Sequence, residues 1–163
     1  MIRRLGMTPK QAGFSLIELM VVLAIMAVLS LIAAPVVSMQ VKRHKEQELK
    51  IALKEIRQGI DAYKKASEQG LVMPTPNGYP AALTELVDGV TNIKMPVEKK
   101  IYFLRRIPRD PFYAGQPDAP AADTWGLRAY SSSPTNPQAG SDVYDIYSLT
   151  PGKGLNGVPY GQW

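Results

Sequence analysis

Cysteine is absent from all 163 residues, and histidine occurs once, at His44. The first absence excludes a disulfide framework, thiolate metal sites and thiol nucleophiles. The second removes His-rich metal sites and His-dependent catalytic triads. Acidic side chains are missing from the first 17 positions, where Arg3, Arg4 and Lys10 carry the only charge. Those three cations account for most of the net charge of +5, so the rest of the chain is nearly balanced and gives no general case for nucleic-acid binding. Residues 19–39 hold no charge of either sign, and no proline falls between Pro35 and Pro74. Twelve of the fourteen prolines lie from Pro74 onward, which divides the chain into a proline-poor first half and a loop-rich second half.

The charge-free run is mostly Leu, Val, Ile, Met and Ala. As a helix its 21 residues span about 31 Å, close to the thickness of a hydrocarbon core. A basic start before an apolar run also fits a secretory signal peptide. The run is long for that, however, and its best small-residue site, Ile32-Ala33-Ala34, has Ile at the wrong position and Pro35 immediately after. A membrane anchor with its basic end inside fits better, and it leaves Glu18 unexplained. That acid stands just inside the apolar segment, where a bare carboxylate costs about 3 kcal/mol if the run enters a bilayer.

The residues around Glu18 carry a resemblance. A short basic leader ends in Gly13 and is followed by Phe14-Ser15-Leu16-Ile17-Glu18-Leu19-Met20 and the apolar helix. This pattern resembles the type IV prepilin signature shared by pilins and the pseudopilins of type II secretion. The resemblance implies cleavage after Gly13 by an inner-membrane prepilin peptidase, with methylation of the new N-terminal Phe14. Pro35 stands where the family usually has a proline, whereas Ala27 stands where many members carry a helix-loosening glycine. Cleavage gives Glu18 a physical role. It turns a neutral amide into a free amine, cationic at neutral pH, one helical turn away. An acid in the first turn is also favoured by the helix dipole. The resemblance implies that the pairing runs between subunits, with Glu18 of one meeting the Phe14 amine of its neighbour and fixing the axial register of otherwise greasy helices.

Beyond Met39 the chain turns polar, with apolar residues at Leu49, Leu53, Ile56, Ile60 and Tyr63. Steps of four, three, four and three mark one stripe of an amphipathic helix. One helix is therefore expected from Phe14 to about Gln69, kinked at Pro35 because the ring and missing N–H disturb the bond to Leu31, and stopped by Gly70. The polar stretch 42–48 reads as a solvated face. A short helix is expected near 80–87 with Pro80 in its first turn, and strands near 124–131 and 142–149 from their alternation. The predicted fold is α+β. A long N-terminal helix, membrane-spanning in its first half and amphipathic in its second, packs on a small C-terminal antiparallel sheet. The expected divisions are a cytoplasmic leader 1–13, a membrane or filament-core helix 14–39, its continuation 40–69, and a periplasmic headgroup 70–163.

The missing cysteines disfavour a thick, motile pilin, which commonly closes its C-terminal region with a disulfide. Ile107-Pro108-Arg109-Asp110-Pro111, the Trp125-Gly126 strand and the strand through Asp142-Val143-Tyr144-Asp145-Ile146-Tyr147-Ser148 resemble the major pseudopilin of type II secretion. That resemblance implies a homopolymeric filament, minor pseudopilins, an inner-membrane assembly platform as partners, and a periplasmic pseudopilus. The family usually binds calcium through aspartates in its final loop. Here residues 149–163 contain no carboxylate side chain and include Lys153. Calcium wants six to eight oxygens, usually some of them charged, so neither a metal nor another cofactor is expected. Trp163 and Tyr160 are expected to hold the loop against the sheet instead. Gly152-Lys153-Gly154-Leu155-Asn156-Gly157 matches G-x-G-x-x-G, but the six residues that follow build no βαβ unit, so it indicates no dinucleotide site. The basic stretch 99–109 is read as a segment docking Tyr102, Phe103, Leu104 and Ile107 on the long helix, its cations facing water or an acidic neighbour, not nucleic acid. A type IV pilin for adhesion, motility or DNA uptake is the alternative. A membrane-anchored enzyme is not expected, because no acid pair or triad is recognisable and no catalytic residue is assigned.

Overall fold

The computed structural model describes residues 13–97 and 99–163, without the side chains of residues 31–35. The expected leader, residues 1–12 of it, lies outside that set. The architecture is the expected α+β, pilin-like one, a long N-terminal helix with small antiparallel sheets. The chain forms two compact units, residues 1–41 and 42–163. Helix α1 (Leu16–Glu68) contributes to both.

In the first unit α1 begins two residues later than expected, with the Leu19 N–H donating to the Ser15 carbonyl at 3.2 Å. Its apolar side chains point in every direction and remain exposed, Leu16 and Ile17 most of all. A helix that is apolar all round normally sits in lipid or in a protein core. Position 35 lies within α1, so the helix continues through the proline expected to bend it. Among the described residues no helix is long and apolar enough to cross a membrane, and the side chains of residues 31–35, in the middle of the apolar run, lie outside the described set.

The second unit is built on the predicted stripe. Leu49, Leu53, Ile56, Ile60 and Tyr63 are all buried, each contributing about 2 kcal/mol by leaving water. They meet Leu86, Leu104, Trp125, Val143 and Ile146 in one core. Helix α1 ends in a Schellman turn. Gly70 takes φ +65°, the Leu71 N–H donates to the Ala66 carbonyl at 2.9 Å and the Gly70 N–H to the Ser67 carbonyl at 2.9 Å. The stop signal at Gly70 thus acts through its freedom to adopt a left-handed backbone.

The short helix expected at 80–87 is corrected to α2 (Glu85–Asp88). Pro80 is buried, and its carbonyl accepts the Val143 N–H at 2.8 Å, so this part of the chain is committed to a tertiary bond. The residues after it make i to i−3 turns, and the Glu85 carboxylate caps the Ala81 N–H at 3.1 Å. Strand β1 (Val90–Thr91) pairs antiparallel with β2 (Lys100–Ile101). Strand β3 (Trp125–Arg128) pairs antiparallel with β4 (Asp145–Ser148), with Gly126 opposite Tyr147. Both longer strands sit inside the expected ranges and are shorter than expected. After Arg128 and before Asp145 the backbone bonds across loops, as when the Ala129 N–H donates to the Gln138 carbonyl.

Candidate assembly site and closing loop

Three sequence-predicted residues stand together at the head of α1. Gly13 and Phe14 precede the helix, and Glu18 lies in its first turn. A side chain added at Gly13 would meet no atom within 4 Å, so the fold itself does not require glycine there. Phe14 is 80% exposed. The Glu18 side chain has no hydrogen bond or ion pair among the described residues, and it too is exposed. Phe14 and Glu18 are four positions apart, with Phe14 two residues before the first residue of α1. Among the described residues, therefore, an unpartnered acid and an exposed aromatic residue stand at the head of a helix whose flanks are bare apolar surface.

A second constellation lies in the headgroup, and it joins the three fragments that resemble the pseudopilin branch. The Trp125 indole N–H donates to the Pro108 carbonyl at 2.8 Å. The Ser148 hydroxyl donates to Asp110 Oδ2 at 2.5 Å, and the Phe112 N–H donates to Asp110 Oδ1 at 2.8 Å. The Asp110 N–H in turn donates to the Thr124 hydroxyl oxygen at 3.2 Å. Asp110 is therefore a buried carboxylate that ties the 107–111 element to β4 through Ser148, while the Pro108 carbonyl ties it to β3 through Trp125. Asp142 does similar work, accepting from the Tyr130 N–H and the Asn77 amide.

The closing loop 149–163 returns to α1. Tyr160 is buried, stacked on Phe112 with centroids 4.5 Å apart and edge-on to Trp163 at 5.2 Å. Tyr160 holds the loop to the core as expected, and Trp163 packs on Tyr160 and under Lys50. Burial, with the Glu46 carboxylate as a further cause, pushes the Tyr160 phenol up to about 12. Arg57 anchors the same region, bonding Asp145 at 2.8 Å and the Trp163 carbonyl at 2.9 Å, and Arg128 shares Asp145 at 3.4 Å.

Two expectations are corrected here. The stretch 42–48 is not wholly a solvated face, because Glu46 is only 7% exposed and accepts from the Leu155 N–H at 2.9 Å and the Tyr160 hydroxyl at 3.0 Å. Its signal was present in the spacing. Glu46 lies three residues before Leu49 and extends the core stripe by a turn, but the charged neighbours masked it. Tyr102 does not dock on the long helix. It is 63% exposed and covers Gly89, while Leu104 is buried and Phe103 rests on Tyr63 at 5.3 Å between ring centroids. Lys99, Lys100, Arg105 and Arg106 are all exposed.

Calcium needs six to eight oxygens from the loop and its surroundings, usually some of them charged. The loop offers backbone carbonyls and the Asn156 amide, and the Asn156 oxygen already accepts the Val158 N–H at 3.1 Å. The Lys153 carbonyl accepts from the Lys42 ammonium at 3.0 Å. A cation already occupies one side of the loop, and the nearby carboxylate, Glu46, comes from the helix with two donors on one oxygen. These residues do not fit a calcium site.

The family of prokaryotic N-terminal methylation motifs matches residues 8–34. This match spans Gly13, Phe14 and Glu18 and leaves the headgroup outside. It supports a place in the type IV pilin and pseudopilin superfamily, and it points to a membrane-anchored structural subunit rather than an enzyme. No curated protein and no solved structure matches the chain.

Proposed function

We propose that this chain is the major pseudopilin of a type II secretion system, cleaved after Gly13, methylated on Phe14 and polymerised through its apolar helix into a periplasmic filament. The observation that carries this reading is the methylation motif laid over an exposed apolar helix whose lone acid has no partner among the described residues. Before assembly, lipid covers the helix and the headgroup stands in the periplasm. In the filament, lipid contacts are exchanged for helix–helix packing, so the driving force between the two states is small and a motor has to supply the extraction. Pairing of Glu18 with the neighbour's Phe14 amine then selects one register among many similar apolar contacts.

The pseudopilin branch is supported by the joining of the 107–111 element, Trp125 and Ser148 in one hydrogen-bonded unit, and by the lack of cysteine for a pilin-type disulfide. Minor pseudopilins, the prepilin peptidase and an inner-membrane assembly platform are the partners this reading requires. The exposed cations Arg105 and Arg106 favour the second reading, a type IV pilin that handles DNA. Its mark is duplex-DNA binding by filaments with a steep salt dependence, lost on changing both arginines.

Glu18→Ala and Glu18→Leu test the reading. Each is expected to be cleaved normally, because the scissile bond is untouched, and to yield no filaments by electron microscopy. Abundant, normal filaments from either variant refute the pairing role.

A further inference from the structure

The final loop is fastened by charges that the helix carries. Lys42 and Glu46 lie one turn apart on α1 and grip the loop at separate points. The Lys42 ammonium donates to the Lys153 carbonyl at 3.0 Å, and Glu46 Oε1 receives the Leu155 N–H at 2.9 Å and the Tyr160 hydroxyl at 3.0 Å. Between these points the loop satisfies itself. The Gly154 N–H donates to the Val158 carbonyl at 2.9 Å, the Gly157 N–H to the Gly154 carbonyl at 2.9 Å, and the Tyr160 N–H to the Gly152 carbonyl at 3.2 Å. Lys50 lies 4.7 Å over the Trp163 ring and covers its far end.

We infer that the Lys42 and Glu46 side chains close the 149–163 loop in place of a divalent cation, so that the headgroup folds independently of calcium. A metal would gather carbonyls and acids around a central positive charge. Here the positive charge on the carbonyl side is an ammonium, and the negative charge on the amide side is a carboxylate. Each neutralises the part of the loop it faces, and both belong to the same helix as the core stripe. The buried Glu46 oxygen takes two donors at once, and hydrogen bonds to a charged acceptor are the strong kind. Removing that acceptor leaves the buried Tyr160 hydroxyl without a partner and the Leu155 N–H to water alone. The closure is a property of the headgroup and holds whichever filament the chain builds.

Tryptic cleavage after the exposed Lys153 reads the closure directly, because such cleavage follows the population of the open loop when opening is fast. The full processed chain in detergent is digested with excess calcium, with excess chelator and with neither, and its melting is recorded alongside. The wild-type chain is expected to show the same cleavage rate and the same melting in all three. Glu46→Ala is expected to cleave about tenfold faster, from the loss of a charged acceptor to two donors, and calcium is expected not to restore it. Tyr160→Phe, which keeps the ring and removes one donor, is expected to accelerate cleavage by a smaller factor and decides the matter if Glu46→Ala fails to fold. A chelator that speeds cleavage or lowers melting of the wild-type chain overturns the inference. So does wild-type behaviour from both variants.

Discussion

Asp110 is sealed into the headgroup with a hydroxyl on one carboxylate oxygen and a backbone amide on the other. Its removal leaves the Ser148 hydroxyl and the Phe112 N–H with nothing to donate to. Asp110→Ala is therefore expected to destabilise the headgroup by about 3 kcal/mol, measured by urea unfolding of the processed chain in detergent. Ser148→Ala, which removes the donor to Asp110 and the acceptor of the Thr150 N–H, is expected to cost less, about 2 kcal/mol. Equal stability of Asp110→Ala and wild type contradicts the network. At this scale the sequence was informative where chemistry is local. Glu18 stood out as an acid without a reason, and Gly13, Phe14 and Glu18 share one motif. It was less informative where partners are distant, because the bond from Glu46 to Tyr160 spans 114 residues and no local pattern announces it.

Among the elements, α1 shows how tertiary packing overrides propensity. Gly59 sits in the middle of the helix, where glycine costs about 1 kcal/mol relative to alanine. The reason is Leu104, whose Cγ lies 2.8 Å from where a Cβ would be. Leu104 has little room to retreat, since its own N–H and that of Phe103 both donate to the Leu86 carbonyl, at 2.8 and 2.9 Å. Gly59→Ala is expected to lower stability by about 1–2 kcal/mol despite the better helix former, read as a fall in the urea midpoint. A gain of about 1 kcal/mol, the value for an uncrowded helix site, contradicts the close approach. The stripe from Leu49 to Tyr63 was legible because helical periodicity repeats over four turns. The helix expected at 80–87 was not, because Pro80 and Glu85 answer to Val143 and Ala81 rather than to helix geometry. Strand positions near 125 and 145 were readable from alternation, and their ends were not, since loop bonds decide where pairing stops.

On the scale of the whole molecule, the two units obey different rules. The headgroup builds one core from its own apolar residues. The first unit leaves its described apolar side chains bare, and among the described residues its one acid, Glu18, has no partner. The methylation motif at residues 8–34 agrees with cover by lipid or by copies of the chain, and on the proposed reading a peptide-bond cut before Phe14 supplies a cation for the acid. Composition announced this division, with twelve prolines on one side and a charge-free run on the other. On the proposed reading, the subunit in the filament begins at Phe14 and not before. Intact-mass measurement of subunits from purified filaments tests it most directly. The predicted result is the mass of residues 14–163 plus one methyl group, and well-ordered filaments whose subunits still begin at Met1 contradict it.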